Sequence, residues 1–216
     1  MLLRRTIVPM LLMSLIPAVQ VAAESNQQAL QEDKNQVQQW NKFAKICLQA
    51  HKRRVSTNQV TTSERKGGYR GRPNFYNEIT YKDANTGKMI SRIQWETESP
   101  DDVHVIELFD YDNSGRVIRD YTAAYLPGPR NAPVQTLAAF HAYNGDLHAF
   151  RSFDATGEAV FESCSGNLNG ESVDISLEDY QIEDVRKGIE KLGSTPEYQT
   201  CFKGLPLKPG EKLYPQ

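Results

Sequence analysis

Four short polar sequences, each closed by a glycine, divide the middle of this chain: Asn85-Thr86-Gly87, Asn113-Ser114-Gly115, Asn144-Gly145 and Ala155-Thr156-Gly157. A three-residue hairpin loop with a bulge needs positive φ at its last position, which glycine adopts without steric cost. Asn-Gly is the strongest signal for a two-residue hairpin loop. Segments joined by such turns reverse direction at each one, so consecutive strands become antiparallel neighbours. The intervening runs suit strands: Met89, Ile93 and Trp95 alternate with Ile90, Arg92 and Gln94, and Val103 to Phe109 is rich in β-branched and aromatic residues. The expected meander has about eight strands, at 76–83, 88–96, 103–112, 116–126, 134–143, 146–153, 158–164 and 172–176.

The flanks carry helical signals. Leu30, Val37, Trp40, Ala44, Cys47 and His51 lie on one stripe of a helix from about 27 to 52, laid on its own domain. After the meander, Ser176 and Asp179 form a weak capping box. Leu177, Val185, Ile189 and Leu192 then make an apolar stripe that ends at Gly193. Pro196 opens a shorter helix through Cys201, and the tail from 206 to 216, with Pro206 and Pro209, reads as extended. Between Lys52 and Arg72 there are seven bases and one acid, with three glycines and almost no aliphatics, which reads as a solvated linker. From Glu171 to Asp184 there are six acids and no base, so charge matching between the two stretches is expected.

The fold class that follows is α+β: a curved antiparallel β-meander packed against N- and C-terminal amphipathic helices, curling toward an open half-barrel. Its organisation reads as signal peptide 1–23, N-terminal helix and basic linker 24–75, meander with C-terminal helices 76–205, and tail 206–216.

The leader reading rests on Arg4-Arg5, the apolar run from Ile7 to Val21, and Val21-Ala22-Ala23 before Glu24. That run, broken by Pro9, Pro17 and Gln20, is short for a membrane span, and no later stretch approaches span length. Cleavage removes two arginines and no acid, which takes the formal charge from −2 to −4 and argues against a nucleic-acid partner. There is no Asn-x-Ser/Thr sequon, and with the compact leader this points to a bacterial periplasm or secretion. In an oxidising compartment two of Cys47, Cys164 and Cys201 are expected to pair. Cys47 with Cys201 would close the longest loop and is the leading pair, with Cys164–Cys201 the alternative.

The stretch Phe109-Asp110-Tyr111-Asp112-Asn113-Ser114-Gly115-Arg116-Val117, and more faintly Phe153 to Gly157, resembles the hairpin unit of tyrosine-aspartate and related bacterial surface repeats. The match spans about a dozen residues per copy and carries no function across.

Candidate sites are few. With Asn144-Gly145 as the loop, Tyr143 faces Asp146 and His141 faces His148, and the two imidazoles with Asp146 could hold a divalent metal. Paired histidines could instead respond to pH, or be two ordinary strand residues. Asp110, Asp112, Ser114 and Gly115 match the start of a calcium loop, but position twelve is Tyr121 and strands flank it, so a hairpin turn explains them. Asp110, Glu107 and His104 would matter for catalysis only if they converged. No glycine-rich piece sits between strand and helix as a phosphate loop requires. The expected function is an exported periplasmic binding or assembly protein without catalytic activity, its sheet or exposed edge contacting an envelope protein. The alternatives are a carrier holding an apolar or lipid ligand in the half-barrel, and a metal-dependent hydrolase.

Overall fold

The computed structural model describes residues 33–125, 132–178 and 192–216. The described residues are mostly β, with one nine-stranded antiparallel sheet and one main helix, and the sheet is open because β1 and β9 do not pair. Helix α1 (Lys34–Thr57) precedes strands β1 (Val60–Tyr69), β2 (Arg72–Asp83), β3 (Met89–Glu96), β4 (Val103–Tyr111) and β5 (Val117–Ala124). β6 (Gln135–Asn144), β7 (Leu147–Phe153), β8 (Ala159–Leu168) and β9 (Glu171–Glu178) complete the meander. Helix α2 (Pro196–Cys201) and a 3-10 turn at Gly210–Leu213 follow. Each strand pairs with its sequence neighbours only.

The turn chemistry is repeated three times. Asp83, Asp112 and Asp154 each accept, at Oδ1, the backbone N–H two residues on and the hydroxyl of Thr86, Ser114 or Thr156. Such Asx turns satisfy loop amides locally and set the reversal without help from the rest of the fold. Helix α1 begins where the side chain of Asp33 accepts from the amides of Asn35 and Gln36. Its Trp40, Phe43, Ala44, Cys47 and Ala50 pack with Ile93, Ile106, Leu108, Tyr121, Ala123, Ala138, Phe140 and Phe153 in one core. Cross-strand register lines up Ser91, Leu108, Tyr121, Ala138 and Phe153 beneath the helix. Each large apolar side chain buried there contributes roughly 1.5–3 kcal/mol. His51, buried on α1, is bonded through Nδ1 to Ser91 Oγ at 2.8 Å.

Four expectations are corrected. The basic stretch is not a linker: α1 runs on to Thr57 and Val60–Tyr69 is an edge strand. Arg65 makes a two-point ion pair with Glu78, Nε to Oε1 at 2.5 Å and Nη2 to Oε2 at 3.0 Å, which ties β1 to a carboxylate only 3% exposed. Gly68 belongs to that hairpin as well, since a Cβ there would stand 2.0 Å from the carbonyl oxygen of Arg72. Strand alternation was invisible because β1 presents six consecutive exposed residues from Thr61 to Lys66.

Charge matching of the basic stretch with Glu171 and Asp174 does not occur among the described residues, and Asp179, Glu183 and Asp184 of the acidic stretch lie outside them. β1 and β9 lie at opposite edges, and Arg54, Arg65 and Arg72 pair instead with Asp110, Glu78 and Glu98. Ser176 and Leu177 lie in β9 rather than opening a helix. The remainder of the helix expected over 177–192 falls outside the described residues up to 191. The tail is not simply extended: Leu213 is buried, Tyr214 packs near Phe43 with ring centroids 6.1 Å apart, and Tyr121 donates its hydroxyl to the Lys212 carbonyl.

Candidate functional site

On the face of the sheet turned away from α1, β5, β6 and β7 bring together Asp120, His141, Tyr143 and His148. The hairpin that does this is displaced by one residue from the expected one. Asn144 pairs with Leu147, Tyr143 with His148 and His141 with Phe150, so Gly145 and Asp146 form the loop, with Gly145 at φ 64°. The cause is tertiary: Asn144 Nδ2 donates to the carbonyls of Thr200, Cys201 and Lys203 at 3.0–3.2 Å, capping the end of α2. That bonding holds Asn144 in the strand. Displacing a loop by one position changes cross-strand partners by two, so both histidines keep the face they would have had.

The histidines are therefore diagonal neighbours rather than directly opposed. His141 Nδ1 lies 2.9 Å from His148 Nε2, with the rings 10° from parallel, and His141 Nε2 lies 2.6 Å from Asp120 Oδ2. With Nε2–H of His141 donating to Asp120, Nδ1 of the same ring is left to accept from Nε2–H of His148. His148 stacks on Tyr143 at 4.7 Å, and the Arg116 guanidinium covers the other end of the stack, 4.7 Å from the Tyr143 ring. Burial, and then the neighbouring His141, hold the His148 imidazole below its ordinary value. Chemically this is a hydrogen-bonded relay from a carboxylate through two imidazoles.

Asp146 sits in the loop, and the carboxylate beside the histidines is Asp120. The two imidazole nitrogens that face each other are already bonded to one another. Among the described residues no group of three or more His, Cys, Asp or Glu side chains is arranged to hold a metal ion. Asp120 was missed because its place beside His141 depends on the β5–β6 register, which alternation within either strand does not reveal.

The α1 side carries a second polar array, in a single cross-strand row. Asp110 faces Arg119, and farther along the row Arg151 faces Glu162. Asp110 binds both Arg54 of α1 (2.7 Å) and Arg119 (3.0 Å). Arg151 and Glu162, 4% and 2% exposed, form a buried ion pair. Tyr198 of α2 donates to Glu162 at 2.6 Å, and Arg151 donates to the Pro206 carbonyl at 2.7 Å. The Tyr198 hydroxyl is pushed up to about 12, by burial first and then by Glu162. This row fastens the C-terminal segment onto the sheet.

Glu107 lies on the opposite face bonded to Arg92, and His104 is buried among Tyr69, Phe75 and Tyr76, so Asp110, Glu107 and His104 do not converge. Asp112 uses Oδ1 on Ser114 and Arg116 within its own turn, which is the hairpin explanation of the calcium-like pattern.

The disulfide joins Cys164 to Cys201, with Cα atoms 5.9 Å apart, and Cys47 is the free one. The expected Cys47–Cys201 pair is overturned because Cys47 lies in the core under α1, whereas Cys201 belongs to a second cluster with Leu147, Ala149, Cys164 and Phe202. Burial pushes the Cys47 thiol up to about 12.

Two cavities of about 490 Å³ and about 540 Å³ share Ile118 and Arg119. The first is also lined by Arg54, Lys88 and Asp110, the second by His141, Glu211 and Lys212. No helix among the described residues is long and apolar enough to cross a membrane. No family model, curated protein or solved structure matches this chain.

Proposed function

We propose that this chain is an exported, non-enzymatic binding or assembly protein that engages an envelope component by strand addition at β1. The observation that carries the reading is the open edge. β1 is ten residues long, contains no proline, and pairs on one side with β2, while no described residue pairs with its other side. A strand added there gains main-chain hydrogen bonds that require no preformed pocket. Export is supported by the leader-like residues 1–23, which lie outside the described residues, and by the Cys164–Cys201 disulfide.

The carrier reading has less behind it, because Trp40 and Phe43 of α1 occupy the apolar face of the sheet and both cavities carry charged linings. The hydrolase reading has no gathered metal set to build on.

The test is photo-crosslinking in intact bacteria, with a benzophenone amino acid at Thr61 or Thr62 and, as control, at Ser172 of the far edge. Adducts from the β1 positions alone support the proposal. Adducts at neither edge, or equally at both, defeat it. N-terminal sequencing of the periplasmic protein is expected to start at Glu24; retention of residues 1–23 would remove the export half of the reading.

A further inference from the structure

Resting on that edge reading, we propose that the strand received by β1 is β1 of a second copy of this chain, paired antiparallel about a two-fold axis at Arg65. A charged edge strand ordinarily resists pairing. Here the charges are self-complementary. Antiparallel pairing on an axis at Arg65 places Glu64 of each copy opposite Lys66 of the other, and Arg65 opposite itself. This axis lies within half a residue of the midpoint of Val60–Tyr69, so almost the whole strand pairs.

Glu64 and Lys66 project on the α1 side, being partners of Ile79 and Asn77. Both are exposed, and neither forms a salt bridge within the described residues. Two cross-strand ion pairs would therefore form from groups with no competing salt bridge among the described residues. Arg65 does not oppose closure, because its guanidinium is committed to Glu78 of its own chain. Nor does α1, whose main packing is on β3 to β6, away from the β1 edge. The result is one continuous sheet with both helices on the same side, a closed isologous dimer.

Analytical ultracentrifugation of the mature protein tests this. Wild type is expected to dimerise in the micromolar range, more weakly as salt rises. Glu64→Lys alone and Lys66→Glu alone are each expected to raise the dimer dissociation constant at least about tenfold, while the double reversal restores it. Spin labels on Thr62→Cys should lie about 20 Å apart, six positions at about 3.3 Å each. A monomeric wild type overturns the proposal, as does a dimer indifferent to the single reversals. Neither result touches the crosslinking test above, where adducts to a different protein would leave the edge reading standing with another occupant.

Discussion

Reducing or deleting the Cys164–Cys201 bridge should cost this protein about 4 kcal/mol. The two cysteines are 37 residues apart in sequence, and the chain-entropy relation for closing a loop of that length gives roughly 13 cal/mol/K, or about 3.8 kcal/mol at 25 °C. The perturbation is Cys164→Ala with Cys201→Ala, and the assay is urea unfolding followed by tryptophan fluorescence. Trp40 lies in the α1 core, so its signal reports the main packing unit. With a urea dependence of about 2 kcal/mol/M, the midpoint should fall by about 2 M. Cys47 supplies an internal control: buried and held far from ionising, it should resist iodoacetamide in the folded protein and react in urea. A double variant within about 1 kcal/mol of wild type would refute the loop-entropy argument. A bridge from Cys47 found by mass mapping would refute the pairing itself.

Lowering pH should destabilise the fold partly through His148. Its folded-state affinity for a proton is depressed, so the unfolded chain binds more protons, and the stability it contributes is full above about 6.5 and lost as pH falls below that value. Urea midpoints of wild type and His148→Gln at pH 8 and pH 5.5 should differ in slope, and parallel profiles would count against the relay; His51, shifted the same way by burial, contributes equally to both. Arg151→Met should cost about 3–5 kcal/mol by leaving Glu162 buried without its cation. Adding Glu162→Met should recover most of that, which a urea double-mutant cycle will show. Gly166→Ala should lose at least about 1 kcal/mol in the same assay, since φ is +141° there and a Cβ would meet the Asp146 oxygen at 2.2 Å.

Much of the sheet was legible because its signals are short-range. Asp112-Asn113-Ser114-Gly115 closes its own turn with its own side chains, and the same is true at Asp83 and Asp154. The helix stripe of Trp40, Ala44, Cys47 and His51 was equally plain, since α1 has one apolar face to hide. β1 was not, because an edge strand with solvent on both faces shows no alternation, and Arg65 looks like any solvated cation until Glu78 is placed beside it. The histidine site was half legible: a two-residue loop near Asn144 puts His141 and His148 on one face under either register, but Asp120 comes from a different hairpin.

By itself, then, the sequence determined the order and direction of the strands from β2 onward and the covering helix, since turn chemistry and side-chain periodicity act over a few residues. Tertiary structure alone decided that β1 is a strand, that Asn144 leaves the turn to cap α2, that Cys201 meets Cys164, and that Asp120 completes the relay. Each of those depends on groups distant in the chain, whose meeting is set by how whole elements pack and not by any local preference.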